Sequence, residues 1–201
     1  GVGIHAMSGI DMALWDIKGK VLNQPIYKLL GGGFHKKIKA YASALFPETP
    51  EEISAMVENF IQKKFSAVKF GWGKFGQIPE NDIELVKAAR RAAGDNTDLM
   101  IDAGGCYKDV TKAIEQAKAL EDYDIFFFEE PFPPDELTGL AKLSQSTQIR
   151  IATGERLSTR FSFEDLIVKG KVDIIQPDIG RVGGISEFMK AASIAAQYGV
   201  A

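Results

Sequence analysis

Three acidic residues stand at the ends of successive apolar runs in this 201-residue sequence. Asp102 ends one run, Glu129 ends the next, and Glu155 follows the run after that. The spacings are 27 and 26 residues, and parallel strands in such a repeat end at the same rim, so the three carboxylates are expected to converge. Converging carboxylates repel one another unless a hard divalent cation binds their oxygens, and Mg²⁺ fits two or three carboxylates best. Any one of these acids alone is equally well explained as a polar first residue of a loop.

Six short apolar runs predict the strands that would position these acids. Their starts are 23 to 32 residues apart, which is typical of βα units. The runs are 38–44, 67–70, 99–102, 125–129, 149–152 and 172–176.

The segments between the runs have helical signals. Thr49, Pro50 and Glu52 form the pattern of a capping box with proline at the first helical position, so a helix is predicted to begin there. Apolar residues at helical spacing predict the other helices. One is predicted over residues 10–30, and Gly31 to Gly33 would end it. The others are predicted over 81–93, 109–120, 135–143, 163–169 and 184–198.

A row of βα units is compatible with an open doubly wound sheet or with a (β/α)₈ barrel. The first strand is not followed by the G-x-G-x-x-G turn that would favour the open sheet. We therefore predict an α/β protein of the (β/α)₈ TIM-barrel type, truncated to about six βα units, since six strands cannot close such a barrel. Residues 1–35 are predicted to be a helix leading into the barrel, and 36–201 the barrel domain itself.

Composition excludes several classes of function. The chain is 45% hydrophobic and 25% charged, as expected for a soluble globular protein, and has no apolar run long enough to span a membrane. Its net charge of −3 argues against binding to nucleic acid or to anionic lipid. The single cysteine, Cys106, excludes an internal disulfide and a cysteine-based zinc site, and no histidine is near it in sequence. We expect a cytoplasmic protein without nucleic-acid or membrane partners.

The sequence resembles the enolase superfamily, in particular its mandelate racemase-like branch, which includes many acid-sugar dehydratases. The resemblance runs in family order along the chain, but covers only about three quarters of the family's barrel and little of its N-terminal capping domain. The matching blocks are residues 9–20 (GIDMALWDIKGK), 67–69 (AVK), 101–104 (IDAG), 128–131 (FEEP), 152–155 (ATGE) and 176–184 (QPDIGRVGG).

The resemblance implies roles for particular residues. Asp102, Glu129 and Glu155 would bind Mg²⁺. Lys69 would match the first lysine of the family's K-x-K motif, which holds or polarises the substrate carboxylate, and Asp178 would match the acid that pairs with a catalytic histidine. Lys69 could instead be a strand-end lysine reaching water, and Asp178 a turn residue.

Neighbouring positions complete the expected site. Glu130 would lie beside the metal ligand Glu129, and Arg181 falls where relatives often have a basic residue. The loop aromatics Trp72, Phe75 and Tyr107 could contact substrate or simply pack.

Two departures from the family pattern bear on the reaction. Gly71 stands where the family has the second lysine of K-x-K, a base on one face of the substrate, so a one-sided reaction is favoured over racemisation. The seventh strand, with the histidine that would pair with Asp178, is not among these residues, and neither His5 nor His35 is placed to replace it.

Together these features predict a magnesium-dependent lyase that removes water from an aldonic or aldaric acid through an enediolate. An epimerase, racemase or cycloisomerase of the same superfamily is the alternative, and a non-catalytic truncated fragment or pseudoenzyme is another. We expect the full-length protein to be a hydro-lyase and a homo-oligomer, and the 201 residues alone to bind metal at best.

Overall fold

The computed structural model describes residues 1–33 and 35–201; position 34, within the predicted segment 1–35, lies outside the described residues. Within that part of the chain, six parallel strands form one sheet in sequence order. The strands are β1 (Ala42–Leu45), β2 (Ala67–Gly71), β3 (Asp98–Asp102), β4 (Ile125–Glu129), β5 (Ile151–Thr153) and β6 (Ile174–Ile175).

Helices connect these strands, as the repeat of apolar runs predicts. The predicted capping box is present: the Thr49 hydroxyl accepts a hydrogen bond from the backbone N–H of Glu52, whose side chain accepts one from the backbone of Thr49. The helices are α1 (Val2–Val21), α2 (Ile26–Leu29), α3 (Pro50–Gln62), α4 (Pro79–Ala93), α5 (Val110–Leu120), α6 (Leu137–Ser144), α7 (Thr159–Val168), α8 (Ile179–Val182) and α9 (Ile185–Tyr198).

The helix predicted over 10–30 is wrong in both bounds. The helix α1 begins at Val2 and ends at Val21, and Asn23 then adopts a left-handed backbone conformation with φ 49°. Pro25 precedes the short helix α2 and has an extended backbone, so one continuous helix cannot pass through it. No helix among the described residues is long and apolar enough to cross a membrane.

The chain divides into two compact units. The first consists of Gly1–Lys39, Gly154–Val168 and Ile175–Ala201. Within it, α1 contacts α8 and α9, and α7 packs on α9. The second unit consists of Ala40–Thr153 and Lys169–Ile174, and it includes β1 to β5.

One face of the sheet in the second unit has an apolar layer. Its buried cluster is Ala67, Met100, Phe127 and Ala152, with Ile174 packed against it. Because side chains alternate along a strand, the residues two positions further on face the same way. These residues are Lys69, Asp102 and Glu129, so β2, β3 and β4 bring one cation and two carboxylates to the carboxyl-terminal end of this layer.

Candidate active site

Asp102 and Glu129 lie side by side at the ends of β3 and β4. The two residues are directly paired in the parallel register of these strands. Both are nearly buried, with 8% and 2% of their surfaces exposed. Two carboxylates in so little contact with water need a compensating positive charge.

Lys69 supplies that charge within the structure. Its Nζ lies 2.5 Å from Glu129 Oε2 and 3.8 Å from Asp102 Oδ2. Burial alone would lower the pKa of Lys69, but the hydrogen bond and charge of Glu129 outweigh it, with help from Tyr41 and Asp102, and the pKa is raised. Lys69 is therefore a cation at neutral pH, close to the two carboxylates.

The carboxylate of Asp102 is also bound by two neutral donors. Oδ1 accepts a hydrogen bond of 2.9 Å from the backbone N–H of Gly104, and Oδ2 accepts one of 3.0 Å from Trp72 Nε1. Each oxygen still has a lone pair available, since a carboxylate can accept about four hydrogen bonds or ligand contacts in all.

A cavity of about 390 Å³ opens at these strand ends, a size that suits a small organic ligand. Lys69, Asp102 and Trp72 contribute polar groups to its lining. The other lining residues are Ser43, Ala44, Leu45 and Gly71.

Sequence reasoning missed two residues beside Lys69. The ring centroid of Tyr41 lies 5.5 Å from Lys69 Nζ, and Ser43 of β1 is level with Lys69 across the strand pair. Alternation along the predicted strand 38–44 could have indicated both residues, because Tyr41 and Ser43 are two positions apart and would face the same way.

Two of the three loop aromatics have packing roles. Phe75 is buried and stacks on Phe46, and Tyr107 is buried with its ring edge against Phe128. Trp72, in contrast, is 52% exposed and lines the cavity.

Cys106 is not an anionic nucleophile at neutral pH. Partial burial of the Cys106 thiol raises its pKa to about 11.

Glu155 and Asp178 belong to the first compact unit. Glu155 is in a turn after β5, with Oε1 4.0 Å from Nε of Arg156. Asp178 is exposed and caps α8, accepting a hydrogen bond of 2.6 Å from the backbone N–H of Gly180. Arg181 is exposed in the same short helix. The functional roles of these residues stay predictions.

Asp102 and Glu129 have the donor chemistry of a magnesium site. Mg²⁺ binds through one or two carboxylates and keeps further positions for water or substrate oxygens, so hard oxygen donors on adjacent strands fit it. Glu130 is buried next to Glu129, with an unusual φ of 41°. Across residues 1–33 and 35–201, no three His, Cys, Asp or Glu side chains are grouped so that they could hold a metal ion. The ligand set of three acids therefore stays a prediction.

Comparison with known proteins places this chain in a family. Residues 52–201 match the enolase C-terminal domain-like family, and residues 3–31 match the N-terminal domain of mandelate racemase and muconate lactonizing enzyme. The chain belongs to the enolase superfamily. It falls in the mandelate racemase-like branch that the sequence motifs indicate.

The relatives of this enolase-superfamily chain include sugar-acid enzymes. It is 36% identical to arabinonate dehydratase of Saccharolobus solfataricus and 36% identical to D-galactarolactone cycloisomerase of Agrobacterium fabrum, over 99% and 100% of its length. The chain spans about half of these relatives, 53% of each. The 3,6-anhydro-D-galactonate cycloisomerase structure from Zobellia galactanivorans matches all of it at 40% identity with a TM-score of 0.92, and 55% of that structure is covered. The predicted TIM-barrel-type fold is confirmed.

Gly71 occupies the position that the family resemblance assigns to the second lysine of K-x-K. A Cβ atom on Gly71 would lie 2.6 Å from Asp102 Cβ and 3.1 Å from the Asp102 carbonyl oxygen. Real Cβ atoms essentially never approach as closely as 2.6 Å, and the 3.1 Å contact is also tight. A side chain at position 71 therefore requires β2 or β3 to shift, so a lysine there is incompatible with the observed strand packing.

Proposed function

We propose that this chain carries the carboxylate-binding side of a magnesium-dependent hydro-lyase acting on an aldonic or aldaric acid. The observation that supports the proposal most strongly is the placement of the Lys69 ammonium between two buried strand-end carboxylates on the wall of a small cavity. Several relatives are dehydratases of sugar acids by name, among them arabinonate dehydratase and D-gluconate dehydratase.

The carboxylates of Asp102 and Glu129 would hold Mg²⁺, with Glu155 as the proposed third ligand. When bound, the ion supplies Lewis-acid stabilisation of negative charge on the substrate carboxylate oxygens. Lys69 offsets part of the negative charge that Asp102 and Glu129 bring together.

Lys69 would bind the substrate carboxylate through its ammonium group. Removal of the proton on the adjacent carbon places a second negative charge on the carboxylate group, so an ammonium donor there stabilises the transition state more than the ground state. Trp72 and Leu45 line the same cavity.

The reaction balances as the loss of one water molecule. The C2–H bond breaks, its electron pair forms a C2–C3 double bond, and the 3-hydroxyl leaves with a proton as water. The resulting enol becomes a 2-oxo-3-deoxy acid. Gly71 offers no base on its side of the substrate, so the proton acceptor would be the histidine that the family resemblance pairs with Asp178.

The experiment is an assay of the complete product of the gene that encodes this chain. A panel of aldonic and aldaric acids with Mg²⁺ is followed by 2-oxo acid formation. We expect activity that a chelator abolishes and that Glu129→Gln lowers by more than the roughly 10- to 100-fold that loss of an outer-shell partner of a metal ligand costs. Glu48→Gln is the matched control, because Glu48 is an exposed acid paired with Lys74. Activity that survives both the chelator and Glu129→Gln would refute the proposal.

Cycloisomerisation is the second candidate. Two relatives that are cycloisomerases by name are 36% and 40% identical to the chain, compared with 36% for arabinonate dehydratase. Both reactions begin with loss of the proton next to the carboxylate. Exchange of that hydrogen in deuterium oxide without 2-oxo acid formation would favour cycloisomerase or epimerase activity. For the 201 residues alone we expect cation binding and no turnover.

A further inference from the structure

Trp72 has a backbone conformation that bulky residues rarely adopt. Its φ is 60°, in the left-handed region, between Gly71 and Gly73. Such a conformation is strained and persists only where surrounding contacts require it, commonly at functional sites. The backbone N–H of Trp72 donates to the Asp102 carbonyl oxygen at 3.1 Å, so the unusual conformation begins where β2 leaves β3.

Gly104 makes room for the indole ring. Gly104 also has a positive φ, 59°, and a Cβ there would lie 3.3 Å from two atoms of the indole. The ring therefore lies closely against the backbone of the loop after β3. This loop also supplies the Gly104 N–H that binds Asp102 Oδ1.

The consequence of this packing is a fixed Asp102 carboxylate. The Trp72 indole N–H and the Gly104 backbone N–H bind different oxygens of the same carboxylate, at 3.0 Å and 2.9 Å. A carboxylate bound at both oxygens cannot rotate freely about its Cβ–Cγ bond. Its remaining lone pairs therefore have set directions.

We propose that Trp72 is a positioning residue, whose indole N–H fixes the Asp102 carboxylate in the orientation that binds a divalent cation. The inference rests on the proposed function, because it takes Asp102 as a cation ligand. Groups that hydrogen-bond to metal ligands typically change metal affinity by about 10- to 100-fold when removed. Since Trp72 is also half exposed on the cavity wall, its emission should respond when the cation binds.

The test uses the 201-residue chain and Mg²⁺ alone as the probe. Trp15 and Trp72 are the two tryptophans of the sequence, so Trp15→Phe leaves Trp72 as the single reporter. Trp72→Phe leaves Trp15, which hydrogen-bonds to Ser186 in the first unit, as the matched control. Mg²⁺ affinity is measured by calorimetry on the parent and on each variant, and urea unfolding checks that each variant is folded.

We expect saturable Mg²⁺ binding by the parent and an emission change in Trp15→Phe with the same Kd. Trp72→Phe should bind Mg²⁺ at least about 10-fold more weakly, in keeping with a lost ligand-orienting hydrogen bond, and its emission should not respond. The inference would be overturned if Mg²⁺ binds, the emission of Trp72 in Trp15→Phe does not change, and a folded Trp72→Phe has the Kd of the parent. That result would leave the magnesium proposal standing. A parent chain that does not bind Mg²⁺ at all would overturn both. If Trp72→Phe does not fold, the emission of Trp15→Phe decides the question.

Discussion

Replacing Lys69 with methionine would test the electrostatic balance of the site. Methionine keeps the length and apolar stem of lysine and removes the ammonium. At 2.5 Å the Lys69–Glu129 attraction is about 7 kcal/mol at an effective dielectric constant of 20, before desolvation offsets much of it. Breaking a buried pair by removal of one partner costs about 3–5 kcal/mol, because the remaining charge is buried without compensation. For a chain of this length that corresponds to a fall in Tm of about 10 °C.

The assay is urea unfolding of parent and variant in chelator and in Mg²⁺. We expect Lys69→Met to lose about 3–5 kcal/mol in chelator and to recover much of it in Mg²⁺, because the cation replaces the missing positive charge. Because the pKa of Lys69 is raised in the folded state, its ion pair contributes fully to the free energy of unfolding of the parent below the ordinary pKa of 10.5. The parent loses this stabilisation only as the pH rises through the raised pKa.

Lys74→Met is the matched control for this experiment. Lys74 Nζ lies 2.6 Å from Glu48 Oε1, but both side chains are more than half exposed. An exposed pair contributes at most about 1 kcal/mol. Equal losses from the two lysine variants, or a Lys69→Met loss that Mg²⁺ does not reduce, would refute the electrostatic reasoning.

Three further predictions concern packing and pH. Gly71→Ala should lower the free energy of unfolding by about 1–3 kcal/mol, because the added Cβ has no room beside β3. Gly9→Ala is the control and should not lower it, because a Cβ at Gly9 meets nothing within 4 Å. Equal effects of the two substitutions in thermal unfolding would contradict this steric argument. Burial raises the pKa of Asp82 to about 6, although a hydrogen bond from a backbone N–H opposes the shift. The free energy of unfolding should therefore fall by up to about 3 kcal/mol as the pH rises from about 4 to 6. Asp82→Asn should abolish that fall in urea unfolding, and a persisting slope would exclude Asp82 as its source. Burial alone would raise the pKa of Glu187, but hydrogen bonds and nearby cations lower it, so Glu187→Gln should cost about 1–3 kcal/mol above the ordinary pKa of 4.5. That difference should disappear as the pH falls through the lowered pKa, and a loss independent of pH would argue against the ionic role.

Local sequence patterns predicted the strands best where the apolar run is unbroken. Strand β4 runs over Ile125–Glu129 as predicted, and every residue of this strand except Phe126 is buried. Strand β1 begins four residues later than predicted, at Ala42, and Ile38 is exposed despite its β-branched side chain. The four-residue helix α8 was missed because it is too short to show helical periodicity.

The neighbouring positions of Asp102 and Glu129 could be predicted, because they follow from strand ends in a parallel repeat. The steric exclusion at Gly71 could not, since it depends on how closely β2 and β3 approach at one register position. The Trp72 hydrogen bond could not be predicted either. It requires a left-handed conformation at a residue whose type disfavours it.

The most direct test of the central claim is a crystal structure of the protein with Mg²⁺ and a candidate sugar acid. We predict an ion bound by carboxylate oxygens of Asp102, Glu129 and Glu155 at about 2.0–2.1 Å, the distance that Mg²⁺ requires, with the acid's carboxylate beside Lys69. An ion bound elsewhere, or found without oxygens of Asp102 and Glu129 among its ligands, would contradict the claim.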